Sequence, residues 1–143
     1  MPFELPSAYR LCERKPTLAE YYAISTSVGW QDAINYEAAA IALQNSLYSV
    51  VVEHNDQAIG MGRIVGDGAI FFYVQDIAVK ANYQRCGIGT AIVDQLMTHI
   101  SATAPDKAFV GLFAAPNTYP FYKQFGFVAN IGLSGMYQVH SPV

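Results

Sequence analysis

Charge is scarce in this chain. Of its 143 residues, 8 are Lys or Arg and 11 are Asp or Glu, which is 13% charged against 52% hydrophobic. A chain this apolar excludes intrinsic disorder and predicts a compact fold with a large core, and an exposed apolar surface of the kind used by a homodimer. No run of basic residues occurs and the net charge is −3, so no nucleic-acid partner is expected. The mild acidity suits a cationic substrate. Cysteine is nearly absent: Cys12 and Cys86 stand far apart with no CxxC, and His54, His99 and His140 lack ligand spacing. We therefore expect free thiols, a reducing compartment and no metal site. No apolar run is long enough to cross a membrane, and "MPFELPSAYRLCERKPTL" has no apolar signal core, so the expected location is cytoplasmic with no membrane partner.

No repeat, linker or low-complexity segment interrupts the chain, and its length fits one domain spanning residues 1–143. "YRLCE" alternates as a first strand. Pro16 and Thr17 start a helix with Leu18, Tyr21, Tyr22 and Ser25 along one face and Gly29 as its stop. A second helix is expected from Tyr36 to Gln44. "LYSVVVEHNDQAIGMGRIVGDG" reads as a hairpin, Tyr48–Glu53 and Ala58–Val65, turning at His54–Asp56. A third strand runs from Ala69 to Val79. From Gly87 onward, Ile88, Ile92, Val93, Leu96, Met97 and Ile100 form a helical stripe, and "AFVGLFA" (Ala108–Ala114) is a short buried strand. Strand, glycine turn, helix and strand make a βαβ unit with a parallel pair. "TYPFYKQF" is a short helix ended by Gly126, and "MYQVH" (Met136–His140) is read as a last strand. The class is α/β (α+β).

The glycines decide between phosphate motifs. No G-x-x-x-x-G-K-[ST] is present. A dinucleotide fingerprint, G-x-G-x-x-G, would put its third glycine where Ile92 stands. "GMGRIVG" (Gly60–Gly66) lies inside a strand, where close backbone packing or a bulge accounts for it. Gln84-Arg85-Cys86-Gly87-Ile88-Gly89 does match [Q/R]-x-x-G-x-[G/A]. Together with "DIAVKANYQRCGIGTAIVDQLM" around it and "FYKQFGF" (Phe121–Phe127) downstream, it resembles the core of the GNAT superfamily of N-acetyltransferases. The resemblance covers roughly Tyr48 to Phe127.

The resemblance implies a mixed, mostly antiparallel sheet of six to seven strands flanked by about four helices. It implies acetyl-CoA as cofactor and direct attack of an amine on the thioester. The pyrophosphate would rest on the helix start, contacting Gln84, Arg85, Cys86, Gly87, Ile88, Gly89 and Thr90, since bare backbone and the helix dipole both favour an anion there. Many relatives carry Lys or Arg where Cys86 stands, so backbone donors and Arg85 would carry more of the binding. The pantetheine arm would pair with the main chain of Ile77, Ala78 and Val79, in a gap where this strand splays from Ala108–Ala114. Tyr122 would be the general acid that protonates the departing thiolate, and Asp76 the candidate base, with Tyr73, Glu53 and Asp67 in the same region. Asn117 resembles a cofactor-contacting asparagine, or else caps the short helix. Trp30, Tyr21 and Tyr73 are candidate acceptor-binding residues, with Tyr22 and Tyr36 nearby; such aromatics suit a small primary amine, and equally an ordinary core. Two alternatives stay open: acetylation of a protein N-terminus or lysine, and a non-catalytic acyl-CoA-binding regulatory module.

Overall fold

The computed structural model describes residues 4–129 and 132–142. Two compact units are found, Met1–Leu112 and Phe113–Val143. The first carries one sheet of five strands in the order β1-β2-β3-β4-β5: β1 (Tyr9–Cys12), β2 (Tyr48–His54), β3 (Gln57–Gly66), β4 (Phe71–Val79) and β5 (Phe109–Gly111). The first four are antiparallel neighbours, and β5 is parallel to β4.

The β2–β3 hairpin closes on Asn55 and Asp56, both at positive φ (52° and 60°). That is the left-handed pair a two-residue turn requires to match strand twist, and Asn and Asp tolerate it. In the β3–β4 turn the Asp67 carboxylate accepts from the N–H groups of Ala69, Ile70 and Phe71 at 2.8–3.0 Å. Gly66 sits at φ +148° against the Phe71 carbonyl.

Helix α1 (Leu18–Ser27) begins with a capping box: Thr17 Oγ1 accepts from Glu20 N, and the Glu20 carboxylate accepts from Thr17 N. It buries Tyr21, Ile24 and Ser25, whereas Leu18 and Tyr22 stay exposed, so the buried face is rotated from the expected one. A 3₁₀ turn (Tyr36–Ala38) leads into α2 (Ala39–Gln44). Tyr21, Ile24, Ala39 and Leu43 from this side pack on Val51, Met61 and Ala78 of the sheet. The opposite face receives α3 (Ile88–Thr103), which buries Ile88, Ala91, Ile92, Val93, Leu96 and Ile100 against β2, β3 and β4. Each buried Ile, Val or Leu among them contributes about 1.5–3 kcal/mol. Gly60 and Gly62 let it approach: a Cβ on Gly62 would lie 2.6 Å from Ile92 Cγ2.

A charge cluster fastens β1 to α1 and β2. Glu53 accepts from Arg10 and from Arg14 Nη2 (2.8 Å), and Arg14 also forks onto Glu20 at 2.7 and 2.9 Å. Arg14 first, then Arg10, holds the Glu53 carboxyl down at about 2, against an ordinary 4.5. A depressed carboxylate stabilises the fold above its unfolded pKa, and that support is lost as pH falls towards the folded one. Melting curves of wild type and Glu53→Gln should therefore differ at pH 7 and converge between pH 4.5 and 2. A gap that persists unchanged across that range would show that Glu53 acts through something other than its charge.

The second unit holds α4 (Tyr119–Lys123), with Thr118 at its N-cap and Gly126 at φ +92° just beyond it. Tyr122 packs edge-on to Phe121 (5.0 Å between ring centres) and Phe127 (6.2 Å). Met136–His140 forms no strand, and Met136, Tyr137 and Val139 are 84–88% exposed. The expected six to seven strands are thus five among the described residues. Alternation marks a segment able to pair, but a strand forms only where an edge receives it.

Candidate active site

Two features of the first unit meet at the end of β4. One is the loop and helix start. Lys80 N donates to Ile59 O (2.8 Å), a 3₁₀ turn covers Ala81–Tyr83, and Gln84 Nε2 donates back to Val79 O (2.9 Å). Arg85 is at φ +63° and Gly87, the N-cap of α3, at +82°. No side chain caps α3, and the helix's own bonding begins with Ala91 N donating to Gly87 O at 3.0 Å. The first-turn N–H groups of Ile88, Gly89 and Thr90 thus have no helix partner, as expected of any helix start, and the positive dipole end backs them. Arg85 and Cys86 are exposed beside them, with the Cys86 thiol 3.6 Å from Gln84 O. A helix start of this kind can hold an anion, mainly through backbone donors.

The other feature is an open edge. The β4–β5 ladder ends at Tyr73–Gly111. From Val74 to Val79, β4 has β3 on one side and no strand on the other among the described residues. An open edge presents main-chain N–H and C=O groups to any extended partner carrying amides.

Within this stretch β4 bulges. Met61 faces Ala78 and Arg63 faces Gln75, so Gly62 alone stands opposite Asp76 and Ile77. Asp76 is at φ +57°. Its Oδ2 accepts from Arg63 Nε (2.7 Å) and from Tyr21 Oη (2.9 Å). Burial first, then the Asp76 charge, pushes the Tyr21 phenol above its ordinary value. Pro16, Tyr21, Met61, Gly62, Arg63 and Asp76 line a shallow recess at this point.

Tyr21 therefore adjoins Asp76, while Trp30 packs against the α1–α2 core and Tyr36 sits edge-on to Tyr21 at 6.3 Å. Tyr73 lies farther along β4, its ring 6.0 Å from that of Phe109. Glu53 belongs to the β1–α1–β2 charge cluster and Asp67 to the β3–β4 turn. In the second unit Asn117, at φ +68°, precedes the N-cap, which is Thr118; Asn117 does not cap α4. Sequence reading passed over Arg63. A lone cation within the apolar run "AIGMGRIVG" is itself a signal, because a strand-interior guanidinium needs an anionic partner.

The family model of the acetyltransferase (GNAT) domain matches residues 19–135. The chain belongs to the GNAT family of acetyltransferases. An uncharacterized N-acetyltransferase ycf52 of Pyropia yezoensis is 26% identical over 141 residues, covering 94% of this chain and 78% of that protein. A soybean (Glycine max) protein named histone acetyltransferase TAP1 is 31% identical, covering 80% of this chain and 54% of its own. Among solved structures, a Staphylococcus aureus protein described as "Probable Acetyltransferase" superposes with a TM-score of 0.84 at 31% identity, covering 92% of this chain and 99% of that one. This GNAT protein is thus an acyltransferase. No helix among its described residues is long and apolar enough to cross a membrane.

Proposed function

We propose that this GNAT protein transfers the acetyl group of acetyl-CoA to a primary amine of a small molecule. The observation that carries the reading is the pairing of an uncapped helix start at Gly87 with an open strand edge from Val74 to Val79, joined by a loop of seven residues, Lys80–Cys86. Coenzyme A has matching parts: a diphosphate for the first and an amide-bearing pantetheine arm for the second. When bound, it would supply an acetyl thioester open to direct attack by an amine.

The chain's own groups then have separable tasks. Gly87, Ile88, Gly89 and Thr90 offer main-chain donors to the diphosphate, with Gln84, Arg85 and Cys86 shaping the loop. Ile77, Ala78 and Val79 offer main-chain groups to the arm, and an N–H there can polarise the thioester carbonyl. Tyr122 is proposed to hold a proton at Oη for the departing sulfur. Burial raises its phenol above the ordinary value, so the proton is in place throughout the neutral range. Asn117 is proposed as a further cofactor contact. Tyr21, Trp30 and Tyr73 are proposed to border the acceptor.

Thiol release with acetyl-CoA and a panel of amines tests the reading. Turnover of one or more small amines is expected, and Tyr122→Phe should lower kcat by at least about tenfold with little change in KM for acetyl-CoA. An unchanged kcat would remove Tyr122 from the chemistry. A second reading, acetylation of a protein amine, draws on the soybean relative named a histone acetyltransferase. Preference for lysine peptides over every small amine in the panel would favour it.

A further inference from the structure

We propose that Arg63 and Tyr21 are positioning residues: they clamp Asp76 in a left-handed backbone conformation and so fix which main-chain groups of β4 face its open edge. The inference rests on the acetyl-CoA reading above.

Six non-glycine residues have positive φ among those described, and five of them, Asn55, Asp56, Arg85, Lys107 and Asn117, lie in turns or loops. Asp76 alone lies within a strand. A left-handed L-residue costs roughly 1–2 kcal/mol, so the surroundings must hold it there. Here the holding contacts are visible. Both bonds to the carboxylate converge on Oδ2, one from β3 (Arg63 Nε) and one from α1 (Tyr21 Oη). Arg63 is itself anchored, its Nη1 donating to Ala42 O and Ser46 Oγ at 3.3 Å each. Both partners are largely buried, with side-chain exposures of 15% for Arg63 and 17% for Asp76. A carboxylate held from two elements by a guanidinium and a phenol is suited to fixing backbone.

The bulge has a consequence for phase. Strand side chains alternate, and a bulge shifts that alternation by one residue. On one side of it, Arg63 and Gln75 are paired; on the other, Ala78 pairs with Met61 and joins the α1–α2 core. Ile77 meanwhile reaches the α3 face, where its Cδ1 would lie 2.7 Å from a Cβ on Gly62. Without the bulge, Ala78 and Val79 would exchange faces. The N–H and C=O groups of Ile77–Val79 that now point to the open edge would turn towards β3. The arm would then meet the wrong half of the ladder.

Two substitutions at one position isolate the effect. Asp76→Ala and Asp76→Gly both remove the carboxylate and leave Arg63 and Tyr21 without it, but only glycine takes positive φ freely. Calorimetric titration with acetyl-CoA should show Kd raised about tenfold in Asp76→Ala, with Asp76→Gly recovering most of that loss. Equal weakening of the two, in proteins whose circular dichroism matches wild type, overturns the clamp while leaving the acetyl-CoA reading intact. A wild-type protein that binds no acetyl-CoA overturns that reading and this one with it. If Asp76→Ala does not fold, Tyr21→Phe, which removes one of the two bonds, carries the test. A Kd raised about threefold supports the clamp, and an unchanged Kd overturns it.

Discussion

Replacing Gly87 with valine should weaken acetyl-CoA binding at least about thirtyfold while leaving the fold intact. Two effects act together. Gly87 stands at φ +82°, where a β-branched residue is strongly disfavoured, so the loop before α3 must rearrange. The new side chain also rises from the N-cap, where oxygens of a diphosphate would have to approach main-chain donors. Helix α3 should survive, because Ile88, Ile92, Val93 and Leu96 anchor it against the sheet and do not depend on the cap. Titration calorimetry beside a thermal melt separates the two quantities. A valine variant that binds acetyl-CoA as tightly as wild type would mean that the ligand does not use this helix start.

The largest loss of stability should come from Gly66→Ala, far from the loop. A Cβ there would lie 2.0 Å from the Phe71 carbonyl oxygen and 3.0 Å from its carbon. Those are backbone atoms and cannot swing aside. Relief requires opening the β3–β4 turn, including the bond from Asp67 N to Phe71 O and the three bonds to the Asp67 carboxylate. We expect a loss of about 3–5 kcal/mol and a melting temperature lower by about 10 °C or more, a large share of the stability of an ordinary domain. Gly68→Ala is the control. It too has positive φ, +78°, but its nearest neighbour would be Leu47 Cδ2 at an ordinary 3.6 Å, so only the backbone strain of about 1 kcal/mol applies. Equal melting temperatures for the two variants would discard the clash as the cause.

The parts of the fold legible in the sequence were those whose signals are local. The turn signal at His54–Asp56 between two apolar runs placed the hairpin, although His54 itself ends β2 and pairs with Gln57. The spacing from Ile88 to Ile100 placed α3, and the two glycines at its head placed the loop. What escaped depends on distant partners. The rotated face of α1 follows from packing on Val51, Met61 and Ala78, which the helix's own residues do not specify, because apolar side chains lie all around it. "MYQVH" carries a strand's composition, but composition does not supply an edge. At the candidate site, Asp76 was visible as a strand carboxylate. Its bulge, its left-handed backbone and its tie to Arg63 and Tyr21 arise only when β3 and α1 are brought alongside. Of the glycines of "GMGRIVG", Gly60 and Gly62 proved to be where α3 comes close and Gly62 where the bulge is accommodated, whereas Gly66 serves the β3–β4 turn.

The bond from Gln84 Nε2 to Val79 O makes a strut between the strand end and the helix start. A molecule gripped at both places has its two halves tethered to one stiff segment, and seating either half raises the local concentration of the other. Fragments that carry only the nucleotide or only the arm should then be poor competitors of the intact carrier. On the acetyl-CoA reading, the spent carrier would leave only at moments when both grips are open, and a stiff strut between them would lengthen its stay.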